Sequence, residues 1–446
     1  MISTCVTTMS AWRFGLCCMA GWGYFHGILK AHYVGSGGHF IFDAATIGLY
    51  LGFLISKPKE YEWDRVCIVK PWVYLLIGWN LFMALVPVQH YLIQIVGLRG
   101  NIFWHPMILV GAMMDRQALK ALAYTLSGLN LAALGFGLAE FFIGVDAFVP
   151  QNEATEIVFN SVDIAGGHMR IPSIFMNAHS YGGTMVGSMP WLIGELAAQF
   201  ETNERNKRGK ILLTLGMVSA CIGVFMAGPK TPIIFLGVIV GYLAISGKMN
   251  RALLLAMCLL GLVVGFVITQ SERFQRYSEL ADVDQVIFRL GYSLNLGFFE
   301  TIEKYPMGYG MGSGGTSIPF FLQHLLTDRI WIENEWARII LEQGVVGLIL
   351  LTAFFAWLAT KRFAKDLPNL LLKGLLRFFS IALFATSFVG VGLFSSLPGT
   401  AMFLLGIGYC LSKNESLFKL NPSMEVRKSG WLDSSLPAYQ RGLARL

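Results

Sequence analysis

The sequence predicts an all-α protein, a polytopic transmembrane helix bundle of about twelve spans with a large loop domain between the late spans. The first observation behind this prediction is composition: 55% of the 446 residues are hydrophobic and 14% are charged, with a mean hydropathy of +0.58. Soluble domains are about one quarter charged, so this composition is typical of a membrane protein. The second observation is a series of long apolar runs, and the third is the uneven placement of lysine and arginine.

Apolar runs of about 17–25 residues are long enough to cross a bilayer as helices. The stretch 90–114 has two interpretations, either one span interrupted by Leu98-Arg99-Gly100-Asn101 or a re-entrant piece followed by a short helix. Counting it as one span gives about twelve in total. The other predicted spans are 12–29, 40–56, 71–89, 118–144, 172–198, 210–228, 231–247, 252–269, 338–359, 374–394 and 395–412.

The 34 lysines and arginines indicate the orientation. Most of them fall in segments that share one side of the membrane when both termini are cytoplasmic, which is the arrangement that the positive-inside rule favours. The net charge of +7 then marks the cytoplasmic face, and no nucleic-acid partner is needed to explain it. We divide the chain into a transmembrane bundle at 1–268 with an outside loop at 145–171, an extracytoplasmic loop at 269–337, C-terminal transmembrane helices at 338–412 and a cytoplasmic tail at 413–446.

The long polar stretch that ends at Trp336 is where we expect the chemistry. It carries several arginines, then a glycine run from Pro306 to Gly315, and it closes with Glu333-Asn334-Glu335-Trp336. Most loops in compact proteins are far shorter, so a stretch of this length is expected to be functional.

Arginines in the predicted outside loops are candidate anion ligands, because guanidinium binds phosphate bidentately and stays charged. Arg170 directly precedes the span that begins at Pro172, and Arg289 precedes the glycine run. For either one, pairing with a lipid headgroup or a nearby acid is the alternative. Arg273 and Arg276 are three residues apart and share one side of a helical turn. They are candidate substrate ligands, although interfacial anchoring is the commoner role of such a basic and aromatic pattern.

Two further residues are candidates for substrate binding. Arg99 would cost about 2.5–3.5 kcal/mol at mid-membrane, so within a single span it should face a cavity or a partner. The re-entrant alternative places it at the surface. His179 follows Arg170 and is expected to line the same cavity, whereas a single histidine near a helix end is more often a structural group.

The glycine run is not a P-loop, since no strand precedes it and no Lys-Ser or Lys-Thr follows. Gly310 and Gly312 instead predict positive φ and close backbone approach, with amides available to an anion. Glu333 lies at the start of the next helix. Beside apolar surface its pKa would be raised, which suits a general base, and the alternative is a first-turn acid favoured by the helix dipole.

Two other acidic patterns have simpler explanations. Glu342 lies four residues after Arg338 on one helix face, so we expect a local ion pair. Asp282-Val283-Asp284 matches the short acidic pattern of metal-dependent glycosyltransferases, but two acids with one gap are common by chance. The seven cysteines fall mostly within apolar runs. We therefore expect no disulfide framework and no metal site.

Two stretches together resemble the O-antigen ligase and polymerase family of bacterial envelope polysaccharide enzymes. In the first, His168–Trp191, an arginine is followed by a Pro-Ser-Ile-Phe turn, an Asn/His position and a span. In the second, Arg289 is followed by Tyr305-Pro306-Met307-Gly308-Tyr309-Gly310, a pair made of a polar residue and Asn, and Leu341-Glu342-Gln343-Gly344-Val345-Val346-Gly347. With Leu98-Arg99-Gly100, the resemblance covers about residues 70 to 412. The motifs are short, and their order along the chain carries the match.

The resemblance implies a multi-pass glycosyltransferase of the bacterial inner membrane that uses no metal and no cofactor. Such an enzyme passes a glycan from polyprenyl pyrophosphate to an acceptor glycan hydroxyl on the outer face. The family's arginines fall on Arg170 and Arg289, which would hold the pyrophosphate, and Glu333 would be the base beside Asn334. Many ligases carry His-Asn at that pair, so Glu333-Asn334 favours a polymerase or an exopolysaccharide enzyme. Expected partners are membrane lipid and other assembly proteins, such as a chain-length regulator.

Alternative functions are an O-antigen-type ligase with the same donor, a lipid-linked sugar or polysaccharide transporter, and a non-catalytic assembly subunit. Twelve spans suit a transporter. The long outside loop suits it less, because transporter sites usually lie at mid-membrane between repeats.

Overall fold

The structure is a computed structural model. It describes residues 2–9, 12–33, 36–56, 63–86, 88–150, 155, 170–203, 205–246, 261, 266, 282–316, 318–327, 330, 332, 334–361, 369–390 and 392–412. The predicted span 252–269 lies almost wholly outside these residues, and the tail 413–446 lies outside them altogether. Glu333, Arg273 and Arg276 are also outside the described residues.

Helices make up most of the described residues, and no strand occurs among them, in agreement with the all-α prediction. A π-helix at Ser293–Phe299 and 3-10 helices at Val145–Ala147, Phe320–Leu325 and Ser387–Val389 add short turns. The α-helices are α1 (Ile2–Met9), α2 (Trp12–His32), α3 (Ser36–His39), α4 (Ile41–Ile55), α5 (Lys70–Ala84), α6 (Tyr91–Ile102), α7 (Pro106–Met113), α8 (Arg116–Ile143), α9 (Ala178–Glu201), α10 (Lys207–Ala227), α11 (Lys230–Ser246), α12 (Val283–Tyr292), α13 (Glu300–Lys304), α14 (Glu335–Thr360), α15 (Leu370–Thr386) and α16 (Gly399–Leu411).

Four helical segments are long and apolar enough to cross a membrane: α8, α10, α14 and the segment Leu370–Val389 that begins with α15. Shorter apolar helices α4, α11 and α16 accompany them. The protein is therefore a helical membrane protein. A helix occupies most of each span predicted within the described residues. The largest offset at a helix start is at α9, which begins at Ala178 rather than near Pro172, because residues 172–177 form a turn.

The stretch 90–114 forms two helices, and the break between them is not where the sequence suggested. Residues Leu98–Asn101 are helical, and α6 ends at Ile102. The next helix, α7, starts at Pro106. Proline suits the first turn of a helix, because its φ is already helical and its missing N–H would have no helical partner there. The interruption therefore lies at 103–105.

Helix α9 lies at the centre of the bundle, in contact with α8, α10, α11, α15 and α16. Its buried residues lie all around its circumference, with Tyr181, Trp191 and Glu195 almost without exposure. A helix buried on every side belongs to the core of a bundle. Its first turn is therefore held in a fixed position by the helices around it.

Glycines allow some helices to pack backbone to backbone. A Cβ added at Gly111 of α7 would lie 2.0 Å from the carbonyl oxygen of Leu405 in α16. One added at Gly408 would lie 1.9 Å from the carbonyl oxygen of Ile108. Small residues at helix contacts are typical of membrane bundles, where close van der Waals packing drives helix association.

Buried polar side chains tie helices together. The hydroxyl of Tyr24 in α2 donates to Asn130 Oδ1 in α8 at 2.7 Å, and Asn130 Nδ2 donates to Ser188 Oγ in α9 at 2.8 Å. Hydrogen bonds of this kind add to packing between membrane helices.

The two ends of the bundle carry different groups. At one end, Arg13 pairs with Asp115 and Arg116 pairs with Glu195, which joins the starts of α2 and α8 to the end of α9. At the other end the C-termini of α2 and α6 meet the N-termini of α4 and α9, together with the segments 305–316 and 318–327. We call the first the closed end and the second the loop end.

Candidate functional site

The turn before α9 is fixed by hydrogen bonds to its neighbours. Ser173 has a φ of 52°, which L side chains rarely adopt. Its amide donates to Glu140 Oε2 at 2.7 Å and its hydroxyl donates to the carbonyl of Ala133 at 2.6 Å, so α8 holds the strained residue. Asn177 then caps α9 by accepting from the Ser180 amide at 2.8 Å. These contacts set where Arg170 and the first turn of α9 lie.

The structure brings Arg170 and His179 together, and the substrate site that the sequence predicted for them stays a prediction. The Nη1 atom of Arg170 lies 2.7 Å from Nε2 of His179. Because guanidinium only donates, the histidine nitrogen accepts this bond. The pair lies at the N-terminus of α9, whose dipole adds partial positive charge. This corner of the loop end suits an anion.

A second group of charged side chains at the loop end surrounds Arg99. Its guanidinium pairs with Asp43 of α4 and lies over the Phe40 ring, 5.2 Å from the centroid. Arg99 was expected to face a cavity or a partner if 90–114 formed a single span, and in the structure it pairs with Asp43. Its predicted contact with substrate stays a prediction. Lys30, His26 and His39 complete this group, which we call the basic cluster.

The sequence pointed to only one member of the basic cluster, Arg99. Lys30 and His26 lie at the end of an ordinary apolar span, and Asp43 lies in the first turn of another. The available signal was their type, since ionisable residues inside spans usually face one another or a cavity. Burial, followed by the charges of Lys30 and Arg99, lowers the pKa of His39 to about 2, so its ring is neutral.

The glycine run inserts into a break in α14. Gly344 has φ 68° and ψ 175°, which removes the helical bond between the Leu341 carbonyl and the Val345 amide. The run replaces both partners: the Tyr309 amide donates to the Leu341 carbonyl at 2.6 Å, and the Val345 amide donates to the Pro306 carbonyl at 2.9 Å. The two motifs named at opposite ends of the second stretch are therefore one structural unit.

Gly310 and Gly312 have the positive φ that the sequence predicted, 97° and 82°. The approach is equally close, since a Cβ on Gly312 would lie 2.6 Å from the Ile93 carbonyl of α6, and one on Gly97 would lie 2.2 Å from the Gly312 amide nitrogen. The amides of Ser313 and Gly315 donate to the carbonyls of these same two glycines. The run is buried here, and its visible role is packing. Anion binding by Gly310 and Gly312 stays a prediction.

Asn334 caps α14 and uses both ends of its side chain. Its Oδ1 accepts from the amides of Trp336 and Ala337 at 2.8 and 3.2 Å. Its Nδ2 lies 3.2 Å from the hydroxyl of Ser293 and 3.3 Å from its carbonyl, to which it donates. Only 1% of the residue is exposed. Asn334 therefore fixes the start of α14, and its direct contact with substrate stays a prediction.

Next to the glycine run, Arg338 forms ion pairs with two buried carboxylates. It donates to Glu335 Oε1 from Nη2 at 2.7 Å and to Glu342 Oε2 from Nη1 at 2.6 Å, which confirms the predicted Arg338–Glu342 ion pair. Asn101 of α6 donates to the same Glu342 oxygen at 2.7 Å, and Glu335 Oε2 accepts from the Gly392 amide at 2.9 Å. This network joins α6, α14 and the loop before α16.

The remaining predicted site residues are less fully described. Arg289 lies in α12, but its side chain is outside the described part of the structure. Arg273, Arg276 and Glu333 lie outside it altogether, so their predicted roles stay predictions. Asp282 accepts from the Asp284 amide at 3.1 Å, which is a local helix-start contact.

The Arg170–His179 pair, the basic cluster and the glycine run are neighbours at the loop end, because they share structural elements. The segment before α9 packs on α2, where a Cβ on Gly27 would lie 2.0 Å from the Phe175 carbonyl carbon. Helix α6 carries both Arg99 of the basic cluster and Gly97, against which Gly312 packs.

The chain matches no protein-family model and no curated protein sequence.

Proposed function

We propose that this protein is a polysaccharide polymerase of the bacterial cytoplasmic membrane. It would transfer a glycan from polyprenyl pyrophosphate to an acceptor sugar hydroxyl on the outer face. The observation that carries the proposal is the Arg170–His179 pair at the N-terminus of the buried helix α9. A cation fixed at a positive helix end in an apolar bundle is suited to a phosphate that reaches the bilayer on a lipid.

The proposed reaction is a single displacement at the anomeric carbon. The acceptor oxygen forms a bond to that carbon while the bond to the pyrophosphate oxygen breaks, and polyprenyl pyrophosphate leaves with the electron pair. Arg170 and Arg289 stabilise the charge that develops on the leaving group. Glu333 takes the hydroxyl proton. His179 positions Arg170 by accepting its hydrogen bond.

The membrane arrangement follows the same proposal. About twelve spans with both termini cytoplasmic would place the loop end outside and the closed end inside. A polymerase that acts on lipid-linked glycan after it has been flipped across the membrane needs its site on the outer face. A site on the cytoplasmic face would meet the donor before it is flipped.

Substitution of the proposed site residues tests this function in cells that make the polymer. In a gene deletion complemented by variants, Arg170→Met and Arg289→Ala are expected to lower polymer output by at least tenfold and to accumulate lipid-linked repeat units. Glu333→Gln is expected to do the same through loss of the base. Arg13→Met at the closed end is the matched control and should leave output unchanged. Full output from Arg289→Ala would remove the pyrophosphate assignment, and full output from Glu333→Gln would remove the base.

A further inference from the structure

The basic cluster contains more positive charge than its neighbours balance within the part of the chain that the structure describes. Among the described residues, the only carboxylate that pairs with its two cations is Asp43, on Arg99. Lys30 Nζ has the sulfur of Met176 as its hydrogen-bond acceptor, at 3.7 Å. A thioether is a weak acceptor and carries no charge. An ammonium that is partly removed from water without an anion is unfavourable, so this arrangement suits a site that receives one.

Several buried polar atoms of the basic cluster also have no hydrogen-bond partner among the described residues. They are Nδ1 of His26, Nδ1 of His39, Oδ1 of Asp43 and Nε of Arg99. His26 is 3% exposed and Asp43 is 6% exposed, so water reaches neither side chain freely. Buried polar atoms are nearly always paired, and unpaired ones in one place indicate a ligand or ordered water.

The ligand must have both acceptors and donors. Lys30 and Arg99 require an acceptor with negative charge, and with Asp43 present the cluster has one net positive charge. The free oxygen of Asp43 requires a donor, which a phosphate monoester dianion does not have. Inorganic phosphate keeps one hydroxyl, but its two negative charges exceed the single positive charge of the cluster. The neutral ring of His39 offers a nitrogen for a hydroxyl.

Aromatic rings border the same group. Phe40 lies under Arg99, and Phe321 of the loop lies 6.2 Å from the His39 ring, centroid to centroid. A ligand with one carboxylate, several hydroxyls and an apolar ring face meets all of these requirements, and an acidic sugar has these groups.

We propose that the basic cluster binds a uronic acid unit of the glycan substrate, with the sugar carboxylate on Lys30 and Arg99 and a sugar hydroxyl on Asp43. This inference rests on the proposed function, since it names the class of sugar in that glycan. Met176 joins the cluster to the turn that carries Arg170, so the acidic unit would lie next to the reacting glycan.

Binding of short sugars to the purified full-length protein tests this proposal. The probes are cellobiouronic acid, cellobiose and inorganic phosphate, and the readout is the concentration-dependent shift in melting temperature. We expect cellobiouronic acid to raise the melting temperature and cellobiose and phosphate to have little effect. Lys30→Met should weaken cellobiouronic acid binding at least tenfold.

The variants separate binding from folding. Methionine matches the length of the Lys30 stem beside Met176 and removes an unbalanced charge, so Lys30→Met should melt no lower than the original protein. Arg99→Met is combined with Asp43→Asn so that no buried carboxylate is left alone, and it should also lose binding. Arg13→Met should bind normally.

No shift with cellobiouronic acid, an equal shift with cellobiose, or a phosphate shift that disappears in Lys30→Met would each overturn the proposal. The binding measurement involves no turnover, so it is independent of the polymerase assignment. Failure to bind, with polymer output still dependent on Arg170, would leave that assignment standing. Binding of cellobiouronic acid without any polymerisation would support the uronic acid site and count against the polymerase assignment.

Discussion

Arg338 illustrates how a single residue positions the loop end. Its side chain is 2% exposed and lies between two carboxylates that are fully buried, Glu335 and Glu342. A Cβ on Gly314 would lie 2.7 Å from Arg338 Cγ, so the glycine run rests directly on this side chain. Loss of one partner from a buried ion network leaves an unpaired charge, which costs far more than the network gains over an apolar replacement.

Arg338→Met is therefore expected to lower the free energy of unfolding by about 3–5 kcal/mol, because two buried carboxylates lose their cation. Glu342→Gln should have a much smaller effect, since Arg338 keeps one carboxylate and the amide can still accept from Asn101. Thermal or denaturant unfolding of the detergent-solubilised protein measures both. Equal losses from the two variants would contradict a charge-balance role for Arg338.

At the scale of elements, the glycine run and α14 depend on each other. The backbone of Gly344 occupies a region that is essentially restricted to glycine, at φ 68° and ψ 175°. A Cβ there would also lie 3.1 Å from the Met307 carbonyl carbon. The break at Gly344 frees one carbonyl and one amide, and the run supplies the partner for each.

Gly344→Ala should destabilise the protein by about 1–3 kcal/mol, the usual cost of such a backbone conformation for a residue with a side chain. It should also increase the rate of hydrogen–deuterium exchange at the Tyr309 and Val345 amides, since their hydrogen bonds link the glycine run to α14. Gly128→Ala in α8 is the control, because a Cβ there meets nothing within 4 Å. Stability of Gly344→Ala equal to that of the control would show that the break is not required.

For the whole molecule, hydropathy predicted the positions of the helices, whereas residue type alone predicted few of the contacts in the candidate site. Apolar runs place helices such as α2 and α8 within a few residues of their observed bounds, because span length depends on local composition. Contacts between distant segments decide the features that hydropathy did not predict. These are the break at 103–105, the replacement of hydrogen-bond partners at Gly344 and the partners of Arg99. Lys30, His26 and Asp43 appeared unremarkable for the same reason, since only folding brings them together.

The predicted orientation can be tested with cysteine labelling in intact cells. In a cysteine-free background, Met307→Cys is expected to react with a membrane-impermeant maleimide, because Met307 is 73% exposed and belongs to the loop expected outside. A protein that retains only Cys67, which is exposed and belongs to a loop expected inside, should react only after the cells are opened. The reverse pattern would invert the topology and place the loop end in the cytoplasm.

The central claim, polymerisation at the loop end, is tested most directly with the purified protein in liposomes. The substrate is the lipid-linked glycan that accumulates in a deletion strain, and the products are separated by chain length. We expect longer lipid-linked glycans and free polyprenyl pyrophosphate to form without added metal, and we expect Arg170→Met to stop both while Arg13→Met does not. Translocation of the substrate across the bilayer with no change in chain length would contradict the account and favour a transporter.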